Sequence, residues 1–178
     1  HSTATMVLTN DVHNFDGGAG KDVIELAGYT AAEVDHVAIA FGAGEATLAN
    51  FDIVKGYVLG TASVAGMTLD FAGSADHATA VTNSAVTGYT TAELLITSNA
   101  NGAITFSGTK AATATVAEKA AAAQAVFTTA NDTVMFTSGS DTYVFLNSAS
   151  GDSLVKLEGV TGVGLDTDDH IANEIIIA

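Results

Sequence analysis

The chain has 178 residues, with 20 Asp and Glu against five Lys and no Arg, a formal net charge of -15, and neither Cys nor Pro. That balance repels nucleic acid and anionic lipid, and the lack of Cys excludes disulfides, thiolate metal sites and cysteine nucleophiles. At 48% hydrophobic residues the chain is too apolar for disorder and long enough for one sizeable core or two small ones, while no apolar run approaches the roughly 20 residues of a membrane helix.

From the N-terminus, Ala4 to Leu8 alternates weakly, and an Asp/Asn/Gly-rich stretch follows from Asn10 to Gly20. It ends in Gly17-Gly18-Ala19-Gly20-Lys21-Asp22 and runs into the short apolar strand Val23 to Leu26. Thr30 to Val34 reads as a capped helical turn. Val37 to Phe41, Leu48 to Leu59 and Met67 to Phe71 read as strands, with Lys55-Gly56 a break in the second. Shorter apolar clusters recur at Val81, Val86, Leu94 to Ile96 and Ile104 to Phe106, between Gly/Asn turns. Gly-Tyr-Thr-x-Ala-Glu occurs twice, at 28–33 and 88–93, and reads as a turn in which the Thr caps and the Glu answers. Ala111 to Phe127 is the strong helix former, with Val116, Ala120, Ala123 and Phe127 on one face and Glu118, Lys119 and Gln124 off it. Val134 to Phe136, Asp141 to Leu146 and Ser153 to Leu157 then form a meander of antiparallel strands. The fold class expected is mainly β: a short parallel β-roll, or a solenoid or sandwich, with one Ala-rich helix and a C-terminal β-meander. Residues 1–110 form the β-rich, calcium-binding region, and 111–178 the helix, the meander and an apolar tail.

Glycines spaced as in Gly-Gly-x-Gly-x-Asp let the backbone turn tightly with carbonyls inward, and the closing Asp adds a carboxylate for a hard cation. Followed by an alternating strand, this is the calcium-binding turn of the parallel β-roll. The candidate ligands are Asp16, Gly18, Gly20 and Asp22. Asp141 and Asp152 also start strands after Gly-containing turns, where an Asp either caps the turn or faces a cation. Asp166, Asp168 and Asp169 have offsets that could wrap a weaker calcium, without the 12-residue loop and closing Glu. His13, His36, His77 and His170 each lie within two residues of an acidic residue, with no second His at metal-ligand spacing, and His36 and His77 read as surface turn residues. No nucleophile elbow, zincin motif or phosphate loop occurs, so the chain reads as no enzyme. A hydrolase built on paired carboxylates is the weakest alternative.

The segment from Ala111 to Val160 resembles the C-terminal region of bacterial repeats-in-toxin proteins, above all the S-layer-type proteins of that group. The likeness rests on the Ala-rich helix, the short strand, Asp141-Thr142-Tyr143-Val144-Phe145, the acidic turn Asn147 to Asp152, and Leu154 to Val160. The Gly17–Asp22 unit resembles the group's calcium repeat, and Asp166 to Ala178 its uncleaved type I secretion signal. The tandem of repeats is missing, so the roll is short or lies upstream of His1, and Gly139-Ser140-Asp141 lacks the double glycine usual there.

The resemblance implies a secreted, calcium-binding structural protein that self-associates into a surface layer or matrix after export by type I secretion machinery. Ca2+ is the cofactor expected. A second expectation is an adhesin-type module for glycan or cell-surface polysaccharide, for which exposed rings among Tyr29, Tyr57, Tyr89 and Tyr143 would be the mark. In the tail, Ile175 and Ile177 are expected to face the core and Ile176 the opposite side.

Overall fold

In a computed structural model the described residues are 3–7, 13–27, 37–41, 47–59, 67–71, 76–90, 92–149, 151–162, 164–165 and 174–176. They are mainly β, with one helix. The first six strands are β1 (Thr3–Val7), β2 (His13–Asp16), β3 (Val23–Ala27), β4 (Val37–Phe41), β5 (Asp52–Lys55) and β6 (Thr68–Phe71). They alternate between two sheets. β1, β3 and β5 are parallel neighbours in one, and β2, β4 and β6 in the other.

Short strands follow: β7 (Asp76–His77), β8 (Ser84–Ala85), β9 (Leu95–Ser98) and β10 (Ile104–Ser107). The helix α1 (Val116–Val126) precedes β11 (Asp132–Ser138), β12 (Asp141–Leu146) and β13 (Ser153–Glu158), and β14 (Glu174–Ile176) comes last. β11, β12 and β13 pair antiparallel in succession, as their turn-separated alternation predicts. This meander does not stand apart. β13 pairs parallel with β5, so strands from both sides of residue 110 share one seven-stranded sheet, β1-β3-β5-β13-β12-β11-β7. The four-stranded sheet runs β14-β6-β4-β2, and the three-stranded one β10-β9-β8.

Period-two side-chain alternation gives the large sheet two buried faces. On β12, Val144 and Leu146 join Ile24, Val54, Ile39 and Leu69 in the core between the seven- and four-stranded sheets. Tyr143 and Phe145 point the other way, into a second core with Leu94, Ile96 and the helix alanines. Thr142 is buried on β12 because its hydroxyl is satisfied twice. It donates to the Val160 carbonyl (2.8 Å) and accepts from Gly162 N–H (3.0 Å), which pins the segment that follows β13.

The helix begins five residues later than its Ala-rich composition suggests. Thr115 is its N-cap: the Thr115 hydroxyl accepts from Glu118 N–H, and the Glu118 carboxylate accepts from Thr115 N–H, a capping box. Ala114 is held in a preceding turn by the Lys110 carbonyl. Ala120, Ala123 and Phe127 are buried as expected, and Ala122 joins them. Lys119 corrects the face drawn from periodicity. It is 9% exposed, its stem covered, with Nζ 5.7 Å from the centre of the Phe106 ring and 3.3 Å from Ser138 Oγ. A long aliphatic stem and a cation–π contact let a lysine take a position that charge alone would keep in water.

The Thr30 to Val34 turn and the first Gly-Tyr-Thr copy lie outside the described residues. The second copy is the turn expected: Thr90 N–H and hydroxyl both donate to the Glu93 carboxylate at 2.9 Å. His13 and His77 are strand residues in β2 and β7, in register with Val37 and Thr133, and so are not in turns; His36 and His170 lie outside the described residues. Ile175 pairs with Leu69 and Ile176 with Thr68 on β6, so the tail does join a sheet.

Candidate metal centre

The turn from β2 to β3 is shaped by its first and last aspartates. Asp16 is exposed, and its Oδ1 accepts the Gly18 N–H at 2.8 Å, an Asx turn. Gly18 (φ +75°) and Gly20 (φ +121°) take the left-handed conformations that the glycine spacing predicts. Gly17 is required for a different reason: a Cβ there would stand 2.9 Å from the Cβ of Asp22. The Asp22 side chain therefore folds back over the start of the turn, and the residue is only 3% exposed.

Sequence reading missed the partner of Asp22. β3 and β5 are parallel with Val23 beside Ile53, so Asp22 stands next to Asp52, which opens β5 and is 1% exposed. Asp22 N–H donates to Asp52 Oδ1 at 2.8 Å, and Ile53 N–H donates to the Asp22 carbonyl at 2.9 Å. A signal was present: Lys21-Asp22-Val23-Ile24 and Phe51-Asp52-Ile53-Val54 both place Asp directly before a β-branched pair. Asp22 and Asp52 are thus buried side by side at the heads of adjacent parallel strands, where a shared cation would offset their like charges. The neighbouring side chains lock together at the rim, with Lys21 Nζ 5.2 Å from the centre of the Phe51 ring, and that ring edge-on to Tyr143 at 5.9 Å.

Calcium takes six to eight oxygens. Carboxylates and the carbonyls of a glycine turn are donors of that kind. Among the described residues, no three His, Cys, Asp or Glu side chains converge as a metal-holding group, so most of the oxygens would have to be backbone carbonyls.

The other candidates sit elsewhere. Asp141 Oδ1 accepts from Gly159 N–H (2.9 Å) and its Oδ2 pairs with Lys156 Nζ (2.9 Å). Asp152 Oδ1 accepts from Ser148 N–H (3.0 Å) and its Oδ2 from the Gln124 side-chain amide, which ties the turn to α1. Asp152 thus caps the turn before β13, while Asp141 ties the start of β12 to the end of β13. Asp166, Asp168 and Asp169 lie outside the described residues. Of the tyrosines, Tyr57 and Tyr143 are buried. Tyr89 is half-buried, with its hydroxyl toward Glu118 and the Lys110 ammonium over its ring. No described tyrosine therefore offers a bare ring to a sugar, and Tyr29 lies outside the described residues.

Asp141 also makes stability depend on pH. The Gly159 N–H, against an opposing effect of burial, and then Lys156 hold its carboxyl below the ordinary range. Burial pulls Lys156 down, but its bonds to Asp141 and then Glu158 outweigh this and raise it. A depressed carboxyl contributes stability above its unfolded value, about 3.9, and loses it as pH falls through the lower folded value. We expect Asp141→Asn to unfold at lower urea than the parent at pH 7, with the gap narrowing below about pH 4. A gap that stays constant down to about pH 2 would show that the charge contributes nothing.

Comparison with models of known protein families, with curated proteins and with solved structures gives no match to this chain.

Proposed function

We propose that this chain is a structural component of a calcium-dependent extracellular layer or matrix, and that β1 to β6 are the coils of a short parallel β-roll clamped by calcium. The observation that carries the reading is the buried Asp22–Asp52 pair at the heads of two adjacent parallel strands, the first directly after a Gly-Gly-Ala-Gly turn. Alternation of the chain between two parallel ladders is the path a roll requires. Asp22 and Asp52 would hold the cation, with carbonyls of the glycine turn making up its shell. Asp141 and Asp152, each with both carboxylate oxygens held by protein donors, are not part of this site. The acidic segment 166–169 is the weaker second site in this reading.

Calcium would do two things. It would offset carboxylate repulsion in a chain of net charge -15, and it would couple folding to the calcium-rich exterior. A highly acidic, unfolded chain suits export by a type I machinery, with the tail from Glu174 to Ala178 as its signal.

The test is thermal unfolding followed by circular dichroism in millimolar calcium and in chelator. Extracellular sites bind at about 10⁻⁴–10⁻³ M, and at ten times Kd one site adds about 1.4 kcal/mol. The expected result is a higher Tm in calcium, with most of the gain lost in Asp22→Asn. Equal melting in calcium and chelator refutes the clamp.

A further inference from the structure

Asn101-Gly102 is the single Asn-Gly step in the sequence. It lies in the turn between the antiparallel strands β9 and β10. Asn99 N–H donates to the Ala103 carbonyl at 3.1 Å, and Gly102 N–H to the Asn99 carbonyl at 3.2 Å. Asn99 Oδ1 accepts from Asn101 N–H (3.0 Å) and Ala103 N–H (2.9 Å). Gly102 has φ +69°, a left-handed position that glycine takes without strain. Asn101 is exposed, and among the described residues its side-chain amide has no hydrogen-bond partner. The Asn147 amide, by contrast, is held by the Phe127 carbonyl at 2.8 Å.

Two segments distant in sequence hang on this turn. The Asn101 carbonyl accepts Leu165 N–H at 2.8 Å, and the Gly102 carbonyl accepts Met135 N–H at 2.9 Å. Leu165 is 2% exposed and belongs to the core between the two main sheets. The fit around it is close. A Cβ at Gly102 would stand 2.8 Å from Leu165 Cδ1, and one at Gly164 2.9 Å from Asn101 Cβ.

We infer that Asn101 is a site of spontaneous deamidation and that its isoaspartate product loosens the Leu165 dock. When the turn opens and frees Gly102 from Asn99, the Gly102 backbone nitrogen attacks Asn101 Cγ. The side-chain amide leaves as ammonia, and a cyclic imide remains. Glycine has no Cβ to shield that nitrogen. Water then opens the ring. Attack at Cγ gives aspartate, and attack at the backbone carbonyl gives isoaspartate, whose peptide link to Gly102 runs through Cβ and Cγ. The balance is water taken up, ammonia released and a negative charge added. In isoaspartate the former Asn101 carbonyl becomes a pendant carboxylate. The main chain gains an atom between the turn's holds on Leu165 and Met135. Leu165 N–H thereby loses its fixed acceptor, which is costly for a buried group. The turn acts as a timer: the chain is held at Leu165 in a new molecule and less firmly in an aged one. The inference rests on this turn and not on the calcium reading, so either can fail without the other.

The test is incubation of the folded full chain in mildly alkaline buffer. Peptide mapping with an isoaspartyl methyltransferase as probe locates the product, and thermal unfolding of the separated fractions reads its effect. We expect deamidation at Asn101 ahead of every other Asn, isoaspartate as the main product, and a lower Tm for the isoaspartate fraction than for unreacted chain. Asn101→Gln should keep its Tm through the same incubation. Asn101→Asp, which adds the charge without the extra main-chain atom, should melt close to the parent. Four results overturn the inference: Asn101 intact in folded chain after a time that deamidates it in urea, deamidation led by another Asn, an isoaspartate fraction that melts with the parent, or an Asn101→Asp variant that loses as much as isoaspartate does.

Discussion

Replacing Phe136 with alanine is expected to remove about 3–5 kcal/mol of folding stability, a large share of the 5–15 kcal/mol typical of a domain. Phe136 is 1% exposed, in the second core. Its ring stacks on Tyr143, its register partner on β12, at 5.4 Å and 11°. The ring of Phe106 stands edge-on to it at 5.6 Å. Truncation would leave a hole between two sheets and strip both neighbours of a ring contact worth about 0.5–1.5 kcal/mol. The helix would lose support too, since Lys119 lies over Phe106. Urea unfolding midpoints measure the effect. Phe136→Leu, which keeps most of the volume, should cost less than half as much. A loss below about 1 kcal/mol for the alanine variant would place Phe136 outside any tightly packed core.

Gly56→Ala should be nearly as damaging, for a reason that concerns backbone. Gly56 and Gly159 have the same φ, +74°, so alanine at either carries the left-handed cost of about 1–2 kcal/mol. At Gly159 a Cβ meets nothing within 4 Å, whereas at Gly56 it would come 2.1 Å from the Leu26 carbonyl oxygen. That carbonyl is fixed by the β3–β5 ladder, where Glu25 faces Lys55. Adding the cost of overpacking, about 1–3 kcal/mol, gives about 2–5 kcal/mol for Gly56→Ala. Thermal unfolding of the two variants side by side isolates the clash. Equal losses would mean that β5 does not leave the sheet this close to β3.

The meander was legible because each of its pairings is local. Alternation in Asp141–Leu146 and Ser153–Glu158, with glycines between, specifies neighbours a few residues apart. The start of α1 was legible in Thr115-x-x-Glu118, though alanine content alone placed it too early. The parallel ladders were not legible as pairings. Nothing local in Val23–Ala27 names Asp52–Lys55 as its neighbour, and the connections between successive parallel strands differ in length. Asp52 was missed for that reason. Its likeness to Asp22 becomes evident only once the strands are in register. Asp141 shows the opposite difficulty. It has the same local signature as Asp22, a glycine turn and then a strand, yet Gly159 and Lys156 from the following strand and loop occupy it. A sequence pattern marks where an Asp can bind something. Which partner arrives is decided by the rest of the chain.

The insertion of β13 beside β5 has a consequence in time. Asp52 of β5 pairs with Val155, so the middle of the seven-stranded sheet closes only when nearly the whole chain is present. Contacts so distant in sequence make folding slow. Until β13 docks, β1, β3 and β5 form an incomplete ladder, and the edge of β5 that β13 takes in the finished sheet is unpaired. An acidic chain is well suited to survive that interval, because mutual repulsion holds half-made molecules apart while they wait for their last strands.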